Sequence, residues 1–147
     1  MDPRVQSTRA QLQEQFDLSM ICYQGRKISV DALNTIANWE NQLGAVKATG
    51  SLEKAINEFK EKINSIKGAG GWGRDLSAMS LNNVATRCEQ LFGILQGTDM
   101  PVTSQTHQSV NDLEPAIKKI SEMWNHVLTV DLPKVNAVLK AKHIKLS

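Results

Sequence analysis

Apolar residues recur every three or four positions along nearly the whole chain, and that spacing restricts the fold to one class. In 51-SLEKAINEFKEKINSIKG-68, Leu52, Ile56, Phe59, Ile63 and Ile66 step by four, three, four and three, with Glu and Lys filling the other positions. A helical period places those apolar side chains on one stripe and the charges on the opposite face. Ser51 is placed to cap the start by accepting a backbone N–H bond, and Gly68 to end the helix in a left-handed conformation.

The same pattern returns in 75-DLSAMSLNNVATRCEQLFGILQGTD-99 through Leu81, Val84, Cys88, Leu91 and Leu95. Asp75 or Ser77 is the expected cap, and Gly97 the expected stop. A third stripe runs through Val110, Leu113, Ile117, Ile120, Trp124 and Val127 or Leu128. Pro115 lies inside it. A proline removes a backbone donor and clashes one turn back, which predicts a kink near 111–115 or a helix that begins close to Leu113. Asp131 as a cap and Pro133 in the first turn predict a last short helix, 132-LPKVNAVLKAK-142, followed by a fraying tail, 143-HIKLS-147.

The first fifty residues are less regular. Leu12, Phe16, Met20 and Tyr23 share one face, and Ile36, Trp39, Leu43 and Val46 share another. Gly25 costs a helix about 1 kcal/mol relative to Ala, and Ser29 is placed to cap a new start, so two helices and one long helix both remain open. No segment alternates with the period of two that a strand requires. The fold class is therefore all-α: an antiparallel up-and-down bundle of four to five main helices plus a short C-terminal helix, with residues 1–147 as a single domain.

Composition narrows the function classes. Apolar residues are 41% and charged residues 22% of the chain, a soluble globular balance rather than a disordered one. A net charge of +2 and 5% aromatic residues supply no basic, aromatic-studded surface for nucleic acid. No apolar run reaches the length of a membrane span. Cys22 and Cys88 each lie among apolar residues and read as buried free thiols, a disulfide staying open. Neither cysteine nor histidine spacing forms a metal-binding pattern.

The stretch 68-GAGGWG-73 spells G-x-G-x-x-G, the turn that holds a dinucleotide when a strand precedes it and an acidic residue follows about twenty positions on. Here a Glu/Lys-rich helix precedes it and no parallel sheet is available, so no cofactor is expected. The loop reads instead as a helix connection with Trp72 folded down as an apolar plug. Because loops carry function more often than cores do, Gly70, Gly71, Trp72 and Arg74 are the expected contact point. Trp39 and Trp124, at helical spacing beside Ile and Leu, read as core.

His107, His126 and His143 share no spacing and no adjacent nucleophile, so surface roles are expected. Glu58 and Glu61 read as a solvated face, and Asp112 and Glu114 as first-turn acids at the start that Pro115 implies. Lys134, Lys140, Lys142 and Lys145 complement the negative end of their own helix, with phosphate contact as the lesser reading.

The segments 2-DPRVQSTRAQLQEQFDLSM-20 and 131-DLPKVN-136 carry a resemblance. With Leu91 to Asp99 and Trp124 between them, they are similar to the C-terminal helical region of large bacterial proteins bearing a BNR/Asp-box, sialidase-like or sortilin-like β-propeller. The likeness spans nearly the whole chain on short motifs. It implies an accessory helical domain of a longer, exported protein, whose partner is the propeller or another chain, and it brings no activity with it. The propeller's S-x-D-x-G-x-T-W motif does not occur in the sequence. Two rivals stand beside this reading. One is a glycosidase-like enzyme, which needs two carboxylates facing each other in a cleft. The other is a surface-active module, which needs an uncovered apolar face for lipid or a partner helix.

Overall fold

In the computed structural model, residues 7–70, 79–97 and 100–147 are described. They form α1 (Arg9–Gly44), α2 (Ser51–Lys67), α3 (Leu81–Gln96), α4 (Ser104–His126) and a short α5 (Leu132–Leu139), with no strand among them. The all-α bundle follows from the apolar stripes. Ile56, Phe59, Ile63 and Ile66 of α2, Leu81, Val84, Cys88 and Leu95 of α3, and Val110, Leu113 and Ile120 of α4 are all buried.

The ambiguity at Gly25 resolves into one helix. At 36 residues, α1 extends about 54 Å at 1.5 Å per residue. It opens on a capping box: the Thr8 hydroxyl accepts from the Gln11 N–H, and the Gln11 side chain accepts from the Thr8 N–H. Gly25 is buried, and a Cβ placed there would lie 2.5 Å from Ile117 Cδ1 and 2.8 Å from Cys88 Sγ. The glycine is a notch that lets α3 and α4 rest on the α1 backbone, and Ser29 lies inside the helix, where it caps nothing. Paired positions fix the directions. Tyr23 meets Phe92 and Arg26 meets Glu89, so α3 runs antiparallel to α1. Glu14 meets His107 and Trp39 stacks on Trp124, so α4 runs alongside α1.

Several local expectations are corrected. Ser51 is the first residue of α2 and not its cap; Gly50 holds that position without a side-chain bond. Asp75 and Ser77 lie outside the described residues, and the observed cap of α3 is Ser80, whose hydroxyl accepts from the Asn83 N–H. Gly68 does end α2 with a positive φ of 72°, but its ψ of 173° is extended rather than left-handed helical. Helix α4 starts at Ser104 behind Thr103 and continues through Pro115. Asn111, whose carbonyl loses its helical partner to Pro115, is exposed, so that carbonyl stands open to solvent.

Asp131 is not a cap either. The chain passes from α4 through a π-helical turn, Val127–Asp131, directly into α5, with the Leu132 N–H donating to the Val127 carbonyl. That wider turn accommodates Pro133, which has no N–H for the carbonyl four residues back.

The tail does not fray. Leu146 is buried. The Asn136 side chain donates to the Leu146 carbonyl at 2.9 Å and accepts from its N–H at 2.8 Å. Trp39 Nε1 donates to the Ser147 main-chain oxygen at 3.0 Å. Trp39 itself is fully buried, with Phe59 at 5.6 Å and Trp124 at 5.4 Å between ring centroids.

Two outcomes follow from this packing. Gly25→Ala gains about 1 kcal/mol of helix propensity against an overpacking cost of about 1–3 kcal/mol. It is expected to lower the urea midpoint modestly, and Gly25→Val to lower it more. A Gly25→Ala chain more stable than wild type would disprove the close approach. Leu146→Ala is expected to cost about 2–4 kcal/mol, whereas a frayed tail would leave thermal unfolding unchanged.

Candidate functional site

The expected contact loop falls largely outside the description. Gly71, Trp72 and Arg74 lie beyond the described residues. Gly70 and Gly68 are described, and they show how the loop is anchored. Asn82 Nδ2 donates to the Gly68 carbonyl at 3.0 Å, and a Cβ on Gly68 would sit 2.3 Å from Ser80 Cβ. The end of α2 therefore abuts the start of α3.

A concave site lies elsewhere, between α2 and the π turn. It is a cleft of about 710 Å³ whose floor is Ile66, Met123 and Val127 and whose rim carries Glu58, Glu61 and Glu122. A smaller hollow of about 210 Å³ adjoins it; Glu58, Lys62 and Asp131 line both. The volume of the larger cleft suits a small organic ligand.

Asp131 is the centre of this arrangement. Its side chain is only 6% exposed. Lys62 Nζ donates to Oδ1, and His126 Nδ1 lies 3.3 Å from Oδ2. The helical repeat explains the meeting. The extra residue of the π turn rotates Asp131 inward against α2, while Lys62 reaches from the wet face of α2 beside Ile63 and Ile66. Burial alone would push the Asp131 carboxyl up. The Lys62 ammonium outweighs that through its hydrogen bond and charge, with His126 adding to it, and holds the group below its ordinary value.

That direction bears on one role for Asp131. A glycosidase acid must be kept protonated, with its pKa raised. Asp131 is moved the other way and is already neutralised by Lys62. His126 beside a carboxylate resembles the orienting half of a nucleophilic site. Ser65 lines the same cleft, but no hydrogen bond ties its hydroxyl to His126 among the described residues. No group of three metal-ligating side chains occurs among them.

The other candidates are scattered. His107 pairs with Glu14 on the surface, and His143 stands after α5 with a φ of 55°. Asp112 and Glu114 lie well inside α4 instead of in its first turn; Asp112 accepts from Gln108 at 2.8 Å. The spacing of Glu58 and Glu61 signalled a charged face, but not the cleft that this face borders. Nothing in the sequence foretold the pairing of Lys62 with Asp131, since a π turn leaves no residue signature.

A different surface is uncovered. Leu12, Phe16 and Tyr23 of α1 are 41%, 58% and 48% exposed. The buried face of α1 is instead Leu18, Cys22, Ala32, Ile36, Trp39 and Leu43. No helix among the described residues is long and apolar enough to cross a membrane. The chain matches no protein-family model, no curated protein and no solved structure.

A group whose folded pKa is depressed stabilises the fold fully above its unfolded value, and that stability is lost as pH falls through the folded value. For Asp131 the loss therefore begins below the ordinary 3.8. Urea unfolding between pH 5 and 2 is expected to show a stability decline that Asp131→Asn reduces. Lys62→Met leaves a buried carboxylate without its partner and is expected to cost about 1–3 kcal/mol at pH 7, less than a fully buried pair would lose because Lys62 is half exposed. An unchanged acid limb in Asp131→Asn would show that the pair contributes nothing.

Proposed function

We propose that this chain is a non-catalytic helical module that docks on another protein through the first half of α1, and that its partner is a β-propeller of the kind its sequence resemblance implies. The observation that carries the reading is the stripe of Leu12, Phe16 and Tyr23. These residues lie on one side of the helix over about 17 Å of its axis. Two large aromatic side chains, each about half exposed and about two turns apart on one face, have the character of interface anchors. The Tyr23 ring also lies 6.5 Å from Phe92 of α3, which extends the apolar surface across two helices.

Charge favours a protein over a lipid surface. The residues near the stripe are of mixed sign, with Arg9, Glu14, Asp17 and Lys27 among them. An interfacial membrane helix instead carries a face rich in Lys and Arg. The enzyme reading draws on the cleft at Asp131, but Lys62 shifts that carboxyl away from the protonated form an acid catalyst needs. A propeller in an exported protein would place this module outside the cytoplasm; its role there is to support or connect rather than to turn over substrate.

The test first reads the open reading frame that carries this module for a propeller, then expresses that propeller as a separate chain and mixes it with the helical chain in sedimentation velocity and calorimetric titration. Binding is expected, with Phe16→Ser combined with Tyr23→Ser weakening it at least tenfold, equivalent to about 1.4 kcal/mol. The same double variant is expected to stay folded with only a small drop in melting midpoint, since both side chains are about half exposed. A reading frame with no propeller, or undiminished affinity in the double variant, would refute the proposal.

A further inference from the structure

Residues 132–147 contain Lys134, Lys140, Lys142 and Lys145 and no carboxylate side chain. Two of these lysines share one concavity. Between α5 and the chain that follows it lies a hollow of about 510 Å³, walled by Pro133, Ala137 and Ile144 and edged by Lys140, His143 and Lys145. We propose that this hollow binds a small amphiphilic oxyanion, a phosphate or carboxylate group on a short apolar body. The oxyanion is held by Lys140 and Lys145, and the body lies along Pro133, Ala137 and Ile144.

The hollow is built before any ligand arrives. Its outer wall is the segment 143–147, which lies beyond the last helical turn yet is fixed in place. Here the Asn136 amide clamps both main-chain groups of Leu146, and Trp39 binds the Ser147 oxygen. The turn that starts this wall is His143, with a φ of 55°, the one positive φ at a non-glycine position among the described residues. Together these hold Ile144 and Lys145 across from Lys140, so binding does not first have to order the site. The volume lies in the range of ordinary small-ligand pockets.

The lysines do more than offset their own helix. Lys140 and Lys142 occupy the last turn, where they offset the negative helix end. Lys145 lies beyond that turn and faces the hollow instead. No acidic side chain lines the hollow, in contrast to the cleft at Asp131, whose rim is mainly acidic. An anion is therefore attracted to the first and repelled from the second.

The experiment titrates the whole chain with inorganic phosphate and, separately, with hexyl phosphate, followed by amide chemical shifts. Saturable shifts are expected at Ala137, Lys140 and His143 to Lys145, with hexyl phosphate binding at least threefold more tightly than inorganic phosphate. Lys140→Glu combined with Lys145→Glu is expected to weaken hexyl phosphate at least tenfold. Lys134→Glu combined with Lys142→Glu changes the net charge equally outside the hollow and is expected to weaken it less than threefold. If the first double variant does not fold, Lys145→Glu alone serves in its place. Equal losses in both double variants, shifts spread over every lysine-bearing surface, equal affinity for the two phosphates, or no saturable shift would each overturn the proposal.

Discussion

The contact at Gly25 is the constraint on which the rest of the bundle depends. Three helices meet where one of them has no side chain, and the closeness of that meeting fixes their order. Ile117 of α4 and Cys88 of α3 rest on the α1 backbone, so α1 has to be continuous there. With α3 on its first half, the second half is free to receive α2, and Trp39 becomes the centre of a cluster with Phe59 and Trp124. The same seam buries both thiols. Burial pushes the Cys22 thiol up to about 11 and, with Cys22 adding, the Cys88 thiol up to about 12. Neutral thiols of this kind behave as small apolar groups and not as nucleophiles.

How much of this was legible in the sequence depends on what kind of signal each feature leaves. Helical periodicity is a repeated signal, so the stripes of α2, α3 and α4 were readable residue by residue. Boundaries rest on single residues, and there the competing physics decided. Gly25 reads as a weak point because propensity penalises glycine, yet packing overrides propensity when a close approach requires it. Pro115 reads as a break, yet an exposed proline disrupts a helix less when water can take the orphaned carbonyl. Asn136 reads as one more polar residue on α5, and only the folded chain shows it holding Leu146 in place.

The candidate site was legible only in fragments. Glu58, Glu61 and His126 were each visible as residue types, but their convergence on Asp131 depends on one extra residue in the helical repeat. A π turn shifts everything after it relative to the preceding stripe, and period counting assumes that no such shift occurs. The outcome is a buried carboxylate whose charge is satisfied from a neighbouring helix. Such a pair fixes how α5 sits against α2 more than it supplies free energy. The cleft is thus built around the joint between α2 and the π turn.

Periodicity has a deeper limit, which bears on what the module does. It reports that one side of a helix is apolar, not what covers that side. Leu12, Phe16 and Tyr23 share one helical face through steps of four and seven, as Ile56, Phe59 and Ile63 do through steps of three and four. In the fold only the second set is buried. The difference arises because α1 carries two apolar faces and the described helices cover one of them. An apolar face left in water lowers solubility and brings an isolated bundle no stability. Under the proposal above, the surface that covers it belongs to another protein.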